Sequence, residues 1–188
     1  TAASATGLCA GTYTCTITDA NACTQILSVI VSSIGTLTLS GSVANVSCNG
    51  GCNGSATAVV TTGTSPFTYL WSPSGGTNAT ASGLCPGTYT CTVTDAANCT
   101  GTQTFQVTQP AQLVATPTQT NLLCNGGNSG TATITTLGGT PSFTYSWAPT
   151  GGNFATAVGL AAGIYTCTIT DANGCIVTQT VVITQPTA

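Results

Sequence analysis

The 188-residue chain contains no lysine, arginine, histidine, glutamate or methionine, and its formal charge rests on three aspartates. Each absence removes a class of function. Proton transfer near neutral pH draws on His, Lys or paired carboxylates with separated pKa values. Such a pair cannot form inside one domain of this chain unless distant aspartates meet. Nucleic-acid binding neutralises phosphate with Lys and Arg, and neither is present. An anionic membrane surface lacks a partner for the same reason. No apolar run approaches the ~20 residues of a membrane helix; the longest candidate, Ile26–Val31, is strand-sized. The expectation is no enzyme activity, cofactor, nucleic-acid partner or membrane insertion.

What remains is a neutral, threonine-rich polar surface. Soluble domains usually carry many interspersed charges, and a net charge near zero favours association. The chain also offers no cleavage site to a trypsin-like protease. Both properties suit an extracellular fibre or coat. Eleven cysteines in so short a chain point to an oxidising compartment and a disulfide framework. With no signal peptide and no initiator methionine, the chain is expected to be a processed or excerpted piece.

Self-similarity decides the architecture. The segment Gly7-Leu-Cys-Ala-Gly-Thr-Tyr-Thr-Cys-Thr-Ile-Thr-Asp19 recurs, with few changes, at Gly83–Asp95 and Gly159–Asp171, each 76 residues further on. The same step links Cys48 to Cys124 and Trp71 to Trp147. Residues 36–110 and 111–188 are therefore expected to be complete repeats, and residues 1–35 the C-terminal half of one. In the last repeat, strands are expected from Leu113, over Thr131–Thr136, Phe143–Trp147, Phe154–Val158, Ile164–Thr170 and Val177–Thr184, separated by Asn-Gly and Gly-Gly turns. Tyr165, Cys167 and Ile169 should point inward, with threonines outward. Six or seven strands, a tryptophan closing the aromatic strand, and a tyrosine two residues before a cysteine predict tandem immunoglobulin-like β-sandwich repeats.

The string Cys-Asn-Gly-Gly, then Gly-Gly-Thr-Pro-Ser-Phe-Thr-Tyr-Ser-Trp, then Gly-Leu-Ala-Ala-Gly-Ile-Tyr-Thr-Cys-Thr-Ile-Thr-Asp-Ala-Asn-Gly-Cys and Ile-Thr-Gln-Pro resembles the SprB-type repeat. That repeat occurs in very large surface adhesins of Bacteroidota, including gliding adhesins. The resemblance is best over residues 111–186 and nearly as good over 36–110, and residues 1–35 match only its second half. It implies a secreted or cell-surface structural or adhesive role and names no ligand.

The repeat also orders the cysteines. Cys48 and Cys99 bracket the second repeat as Cys124 and Cys175 bracket the third, so the expected bridges are Cys48–Cys99 and Cys124–Cys175. Cys52 and Cys85 are replaced together, by Asn128 and Ala161, as a bonded pair would be; Cys52–Cys85 is the third expected bridge. Cys15, Cys91 and Cys167 fall on the inward face of their strand and are expected to be core thiols. The rivals are a rearranged pairing such as Cys48–Cys91, zinc binding and a catalytic thiol. No second matched pair supplies tetrahedral zinc ligation, and no base or cation activates a thiol. Cys9 and Cys23 are left unpaired within this chain.

Asp19, Asp95 and Asp171 each open a turn. An Asx-type cap is the expected role; calcium, which takes six to eight oxygens, is the rival. The outward threonines Thr12, Thr14, Thr16 and Thr18, repeated over Thr88–Thr94, read as the solvent face of a strand, with ice binding or O-glycosylation as alternatives. Asn45, Asn53 and Asn78 match the N-glycan acceptor pattern. The half-repeat leaves an apolar face and strand edges uncovered. Either an upstream segment completes it or another subunit does. The expected partners are copies of the chain or neighbouring repeats, in an extracellular fibre or surface array. A module binding surface glycans is the alternative.

Overall fold

The computed structural model describes residues 4–6, 8, 11–31 and 37–187. All its regular elements are strands, fourteen in chain order: β1 (Gly11–Thr18), β2 (Thr24–Val31), β3 (Thr38–Ala44), β4 (Gly54–Thr62), β5 (Thr68–Ser72), β6 (Thr80–Leu84), β7 (Gly87–Thr94), β8 (Thr100–Val107), β9 (Val114–Thr120), β10 (Gly130–Leu137), β11 (Thr144–Ala148), β12 (Thr156–Leu160), β13 (Gly163–Thr170) and β14 (Ile176–Ile183). They fall into two compact units. Unit 1 comprises Thr1–Asn45 and Cys52–Val107; unit 2 comprises Val46–Gly51 and Thr108–Ala188. The segment Val46–Gly51, which the repeat assigns to residues 36–110, thus belongs with the following repeat.

Each unit holds an immunoglobulin-like sandwich of two three-stranded antiparallel sheets, β3-β4-β6 with β5-β7-β8 in unit 1 and β9-β10-β12 with β11-β13-β14 in unit 2. Residue pairing follows the repeat: Trp71 lies opposite Cys91 as Trp147 lies opposite Cys167.

Alternation explains the core. A strand turns successive side chains to opposite faces, and β13 reads Gly-Ile-Tyr-Thr-Cys-Thr-Ile-Thr. Tyr165, Cys167 and Ile169 are buried against Trp147, Leu160 and Ile183, with Phe143 and Tyr145 at the margin. In unit 1 the same positions bring Tyr89, Cys91 and Val93 together with Trp71, Leu84 and Val107. Trp147 donates its indole N–H to the Phe154 carbonyl at 2.9 Å. The Tyr165 hydroxyl donates to the Ala161 carbonyl at 3.2 Å, and Tyr89 to the Cys85 carbonyl at 3.1 Å. These are the anchored tryptophan and tyrosine corner of the sandwich.

The two cores redistribute volume. Phe105 packs on Trp71, ring centroids 5.2 Å apart, over Gly41, where a Cβ would lie 2.6 Å from the Phe105 ring. In unit 2 those positions hold Val181 and Pro117, and Ile134 replaces Ala58. A large residue on one strand is matched by small ones opposite, and the roles reverse in the next copy.

Two expectations shift. The strand expected over Phe154–Val158 begins at Thr156, because Phe154 serves as the carbonyl acceptor for Trp147 and leaves its ring 74% exposed. Cys15, expected in a core, is exposed. In residues 1–35 the described strands form only the β1–β2 hairpin. Among the described residues of this segment no second sheet covers the hairpin as one covers Cys91 and Cys167, and Ile17 and Val29 are exposed as well.

Candidate functional site

The residues that distinguish this chain chemically are its cysteines and the three aspartate turns, and in unit 2 these converge. Asp171 builds its turn from one carboxylate. Oδ1 accepts the backbone N–H groups of Asn173 and Cys175, both at 2.9 Å, and Oδ2 accepts that of Thr140 at 2.8 Å. The Asp171 N–H donates to the Cys175 carbonyl at 3.0 Å and Gly174 N–H to the Asp171 carbonyl at 3.1 Å, with Gly174 at φ +81°. The Thr140 hydrogen bond leads in holding the carboxyl below its ordinary pKa; burial opposes this, and the Cys175, Asn173 and Gly174 amides assist. At Asp95 burial opposes ionisation most strongly, yet the amides of Cys99, Thr64 and Ala97 together hold its carboxyl below the ordinary value. The carboxylates therefore serve as caps for the turns.

Against this turn lies the loop Val46–Gly51. Val46 is 3% exposed and its N–H donates to the Thr108 carbonyl at 3.0 Å. Asn49 donates its side-chain amide to the Pro110 carbonyl at 3.1 Å, and the Gln109 side chain accepts the Gly50 N–H at 2.7 Å. Gly50, at φ +78°, supplies the left-handed step that a side chain disfavours. Asn173 reaches across to donate to the Ser47 carbonyl at 3.0 Å and to the Thr140 hydroxyl at 2.9 Å. Cys48 is bonded to Cys175, with S–S 2.02 Å and Cα–Cα 5.7 Å.

That bond corrects the expected pairs Cys48–Cys99 and Cys124–Cys175. The loop carrying Cys124 lies at the Ile183 end of β14: Leu122 N–H donates to the Thr184 carbonyl at 2.9 Å, and a Cβ on Gly130 would lie 2.7 Å from Ile183. Cys175 immediately precedes β14 at the other end. An eight-residue strand is about 25 Å long, whereas a disulfide needs its Cα atoms about 4–7 Å apart. The two cysteines of one repeat are thus separated by the length of the sandwich, and the bridge reaches one repeat farther along, over 127 residues. Cys124 is free and exposed.

The other cysteines follow. Cys52 is bonded to Cys85, with S–S 1.96 Å, inside unit 1. Cys99 is also disulfide-bonded. Cys23 is free and exposed, and Cys91 and Cys167 are free and buried. Burial pushes the Cys91 and Cys167 thiols up, partly offset by a backbone hydrogen bond to each. Cys9 lies outside the described residues. Among the described residues no three His, Cys, Asp or Glu side chains gather to hold a metal. A cleft of about 450 Å³ lies beside the bridge, lined by Cys48, Asn49, Leu113 and Val177 among others, with no ionisable side chain in its wall.

The cross-repeat bond and the glutamine cap on the Cys-Asn-Gly-Gly loop were missed by sequence reasoning. The signal for the cap was present: Thr-Gln-Pro closes both repeats, at Thr108–Pro110 and Thr184–Pro186.

The sequence model of the SprB repeat matches twice, at residues 36–76 and 116–152. These two stretches are similar to the SprB repeat. Both matches cover the first part of a repeat, from the strand preceding the Cys-Asn-Gly-Gly loop to the Gly-Gly turn after the tryptophan. No protein with a curated description matches the chain significantly. Among solved structures, the N-terminal eight Ig domains of Down Syndrome Cell Adhesion Molecule isoform 1.30.30 align at 14% identity and TM-score 0.40, over 94% of this chain and 28% of that one. A structure addressing Dscam isoform specificity aligns at 13% identity and TM-score 0.34, over 93% and 54%. The amphioxus IgVJ-C2 molecule aligns at 15% and TM-score 0.33, over 80% and 97%. The chain thus spans about a quarter to a half of the first two. At these TM-scores the likenesses carry no weight for function.

Proposed function

We propose that this chain is a non-enzymatic structural segment of a secreted extracellular fibre or cell-surface array, built from disulfide-linked SprB-type repeats. The observation that carries the reading is the Cys48–Cys175 bond, which ties the loop of one repeat to the aspartate turn of the next. A bond of that kind makes successive repeats mechanically continuous, which suits a load-bearing array rather than an independent domain. The composition agrees: no acid–base pair for catalysis, no cation for phosphate, and little charge to keep copies apart. The SprB repeat supports an extracellular, adhesin-like setting.

Electron microscopy and light scattering of the oxidised chain test this reading. Filaments growing at micromolar concentration are the expected result. A protein that stays monomeric and binds a glycan saturably would replace it with the adhesin-module reading, in which threonine-rich and aromatic surfaces contact the sugar.

A further inference from the structure

The bonded junction in unit 2 has two halves, and each recurs elsewhere in the chain with a free, exposed cysteine. The loop half recurs at Cys124. Leu122, 4% exposed, donates its N–H to the Thr184 carbonyl at 2.9 Å, as Val46 does to Thr108. Asn125 donates to the Pro186 carbonyl at 3.0 Å and Gln185 accepts the Gly126 N–H at 2.9 Å, matching Asn49 and Gln109. Gly126 stands at φ +74° beside +78° for Gly50. The loop is therefore already in the conformation of its bonded counterpart. Its tip differs in exposure: Cys124 and Leu123 are exposed where Cys48 and Ser47 are half-buried, and Leu123 reaches 86%.

The turn half recurs at Cys23. Asp19 Oδ1 accepts the N–H groups of Asn21 at 2.8 Å and Cys23 at 2.9 Å. Asp19 N–H donates to the Cys23 carbonyl at 3.0 Å and Ala22 N–H to the Asp19 carbonyl at 3.1 Å. Ala22 takes the left-handed step, φ 64°, that Gly174 takes at 81°. Asn21 occupies the position of Asn173, whose amide secures the bonded junction through the Ser47 carbonyl. Cys23 is free and exposed.

We propose that Cys124 of one copy forms a disulfide with Cys23 of a second copy, reproducing the Cys48–Cys175 junction between chains. The second copy is the occupant that this chain itself supplies: a preformed loop and a preformed turn, each matching one side of a bond already made within it. In the joined state Asn21 of the second copy donates to the Leu123 carbonyl, and the exposed Leu123 side chain is covered. The oxidant is a small-molecule disulfide. The Cys23 thiolate attacks it, forming a mixed disulfide and releasing one small thiol. The Cys124 thiolate then attacks the Cys23 sulfur, forming the interchain bond and releasing the second small thiol. Two protein thiols lose two protons and two electrons, and one small disulfide becomes two thiols.

This inference rests on the fibre reading, and its test separates the two. The full chain is oxidised with a glutathione redox buffer and run on a non-reducing gel. A ladder in steps of the 18.4 kDa chain is expected. Cys23→Ser or Cys124→Ser alone should abolish the ladder, while an equimolar mixture of the two variants should yield a capped dimer and stop there. Because both thiols are exposed, near-UV circular dichroism of each variant should match the parent. Pepsin digestion at low pH, where exchange is slow, should recover a Cys23–Cys124 peptide. A monomer with both thiols titratable overturns the proposal, as do Cys124–Cys124 or Cys15-containing links. So does native material in which Cys124 is joined to a peptide outside this sequence, the result that a following repeat on a longer chain would give. Filaments by microscopy without the Cys23–Cys124 peptide would refute the bond and leave the fibre reading standing; no filaments would refute the latter.

Discussion

The Cys52–Cys85 bridge has an internal control, because unit 2 carries Asn128 and Ala161 in the same places. A Cβ built on Gly83 would lie 3.9 Å from the Cys52 carbonyl oxygen, and one on Gly159 would lie 3.9 Å from that of Asn128. The loop reaches the same position with and without the sulfur bond, and the Tyr89 and Tyr165 hydroxyls both find their backbone carbonyls. The bridge therefore stabilises unit 1 by restricting the unfolded chain rather than by shaping the folded one. For a separation of 33 residues, the loop-entropy relation gives about 3.7 kcal/mol at 25 °C. Replacing the pair with the residues of unit 2, Cys52→Asn with Cys85→Ala, should cost unit 1 about that much. At about 4–8 °C per kcal/mol for a domain of this size, its midpoint falls by roughly 15–30 °C. Calorimetry of the full chain reads the two units separately: the unit 1 transition moves and that of unit 2 stays. A shift below about 1 kcal/mol, or an equal shift in both transitions, would refute the argument that the loop is preformed.

Three further outcomes are expected. Tyr165→Phe removes the hydrogen bond to the Ala161 carbonyl and should destabilise unit 2 by about 1 kcal/mol in urea titration, with unit 1 unchanged. Gly41→Ala places a Cβ against the Thr57 carbonyl and the Phe105 ring and should cost unit 1 about 1–3 kcal/mol, measured by the same titration. The acid side of the stability curve should be set by Asp95 and Asp171. Their folded pKa values lie below the ordinary carboxylate value of about 3.9, so their contribution is full above that pH and is lost as pH falls through the folded values. Thermal midpoints should be flat from pH 7 to about 5 and drop below about 4. A midpoint that rises on acidification would contradict the capping role.

Much of the fold was legible because strand periodicity and repeat spacing report on the same surfaces. Alternation along Gly163–Thr170 identifies the core face, and the 76-residue step transfers that assignment to Gly87–Thr94, where Tyr89, Cys91 and Val93 are buried as expected. At Cys15 the same transfer fails, because burial depends on a covering sheet that lies outside the strand's own sequence. The cysteine pairing was misread for a related reason. Equivalent cysteines in two repeats were matched within each repeat, as though a repeat were closed. Strand length contradicts this: a loop at one end of β14 cannot meet a turn at the other. The observed partner of Cys48 is the cysteine equivalent to Cys99 one step onward. Asp171 was read correctly as a turn former, but the donation from Thr140 to its second oxygen joins residues 31 apart and leaves no local trace.

The absence of charge bears on how such repeats could be ordered. Charged interfaces choose partners and register by attraction and repulsion, and this chain has neither basic side chains nor more than three acids. Direction must come from shape and covalent chemistry. The Cys48–Cys175 junction is heterologous: a loop clamped by Gln109 and Pro110 meets a turn built on Asp171, and neither element resembles the other. An interface of that kind does not close on itself in a two-fold dimer; repeated with a constant operator it gives an open filament unless its rotation closes a ring. Loop-to-loop or turn-to-turn bonding would leave the Asn173-to-Ser47 hydrogen bond unmade and would lack the matched surfaces seen in unit 2. Repeated between copies as proposed, the junction's asymmetry would give a head and a tail to a polymer whose surface carries almost no other information about direction.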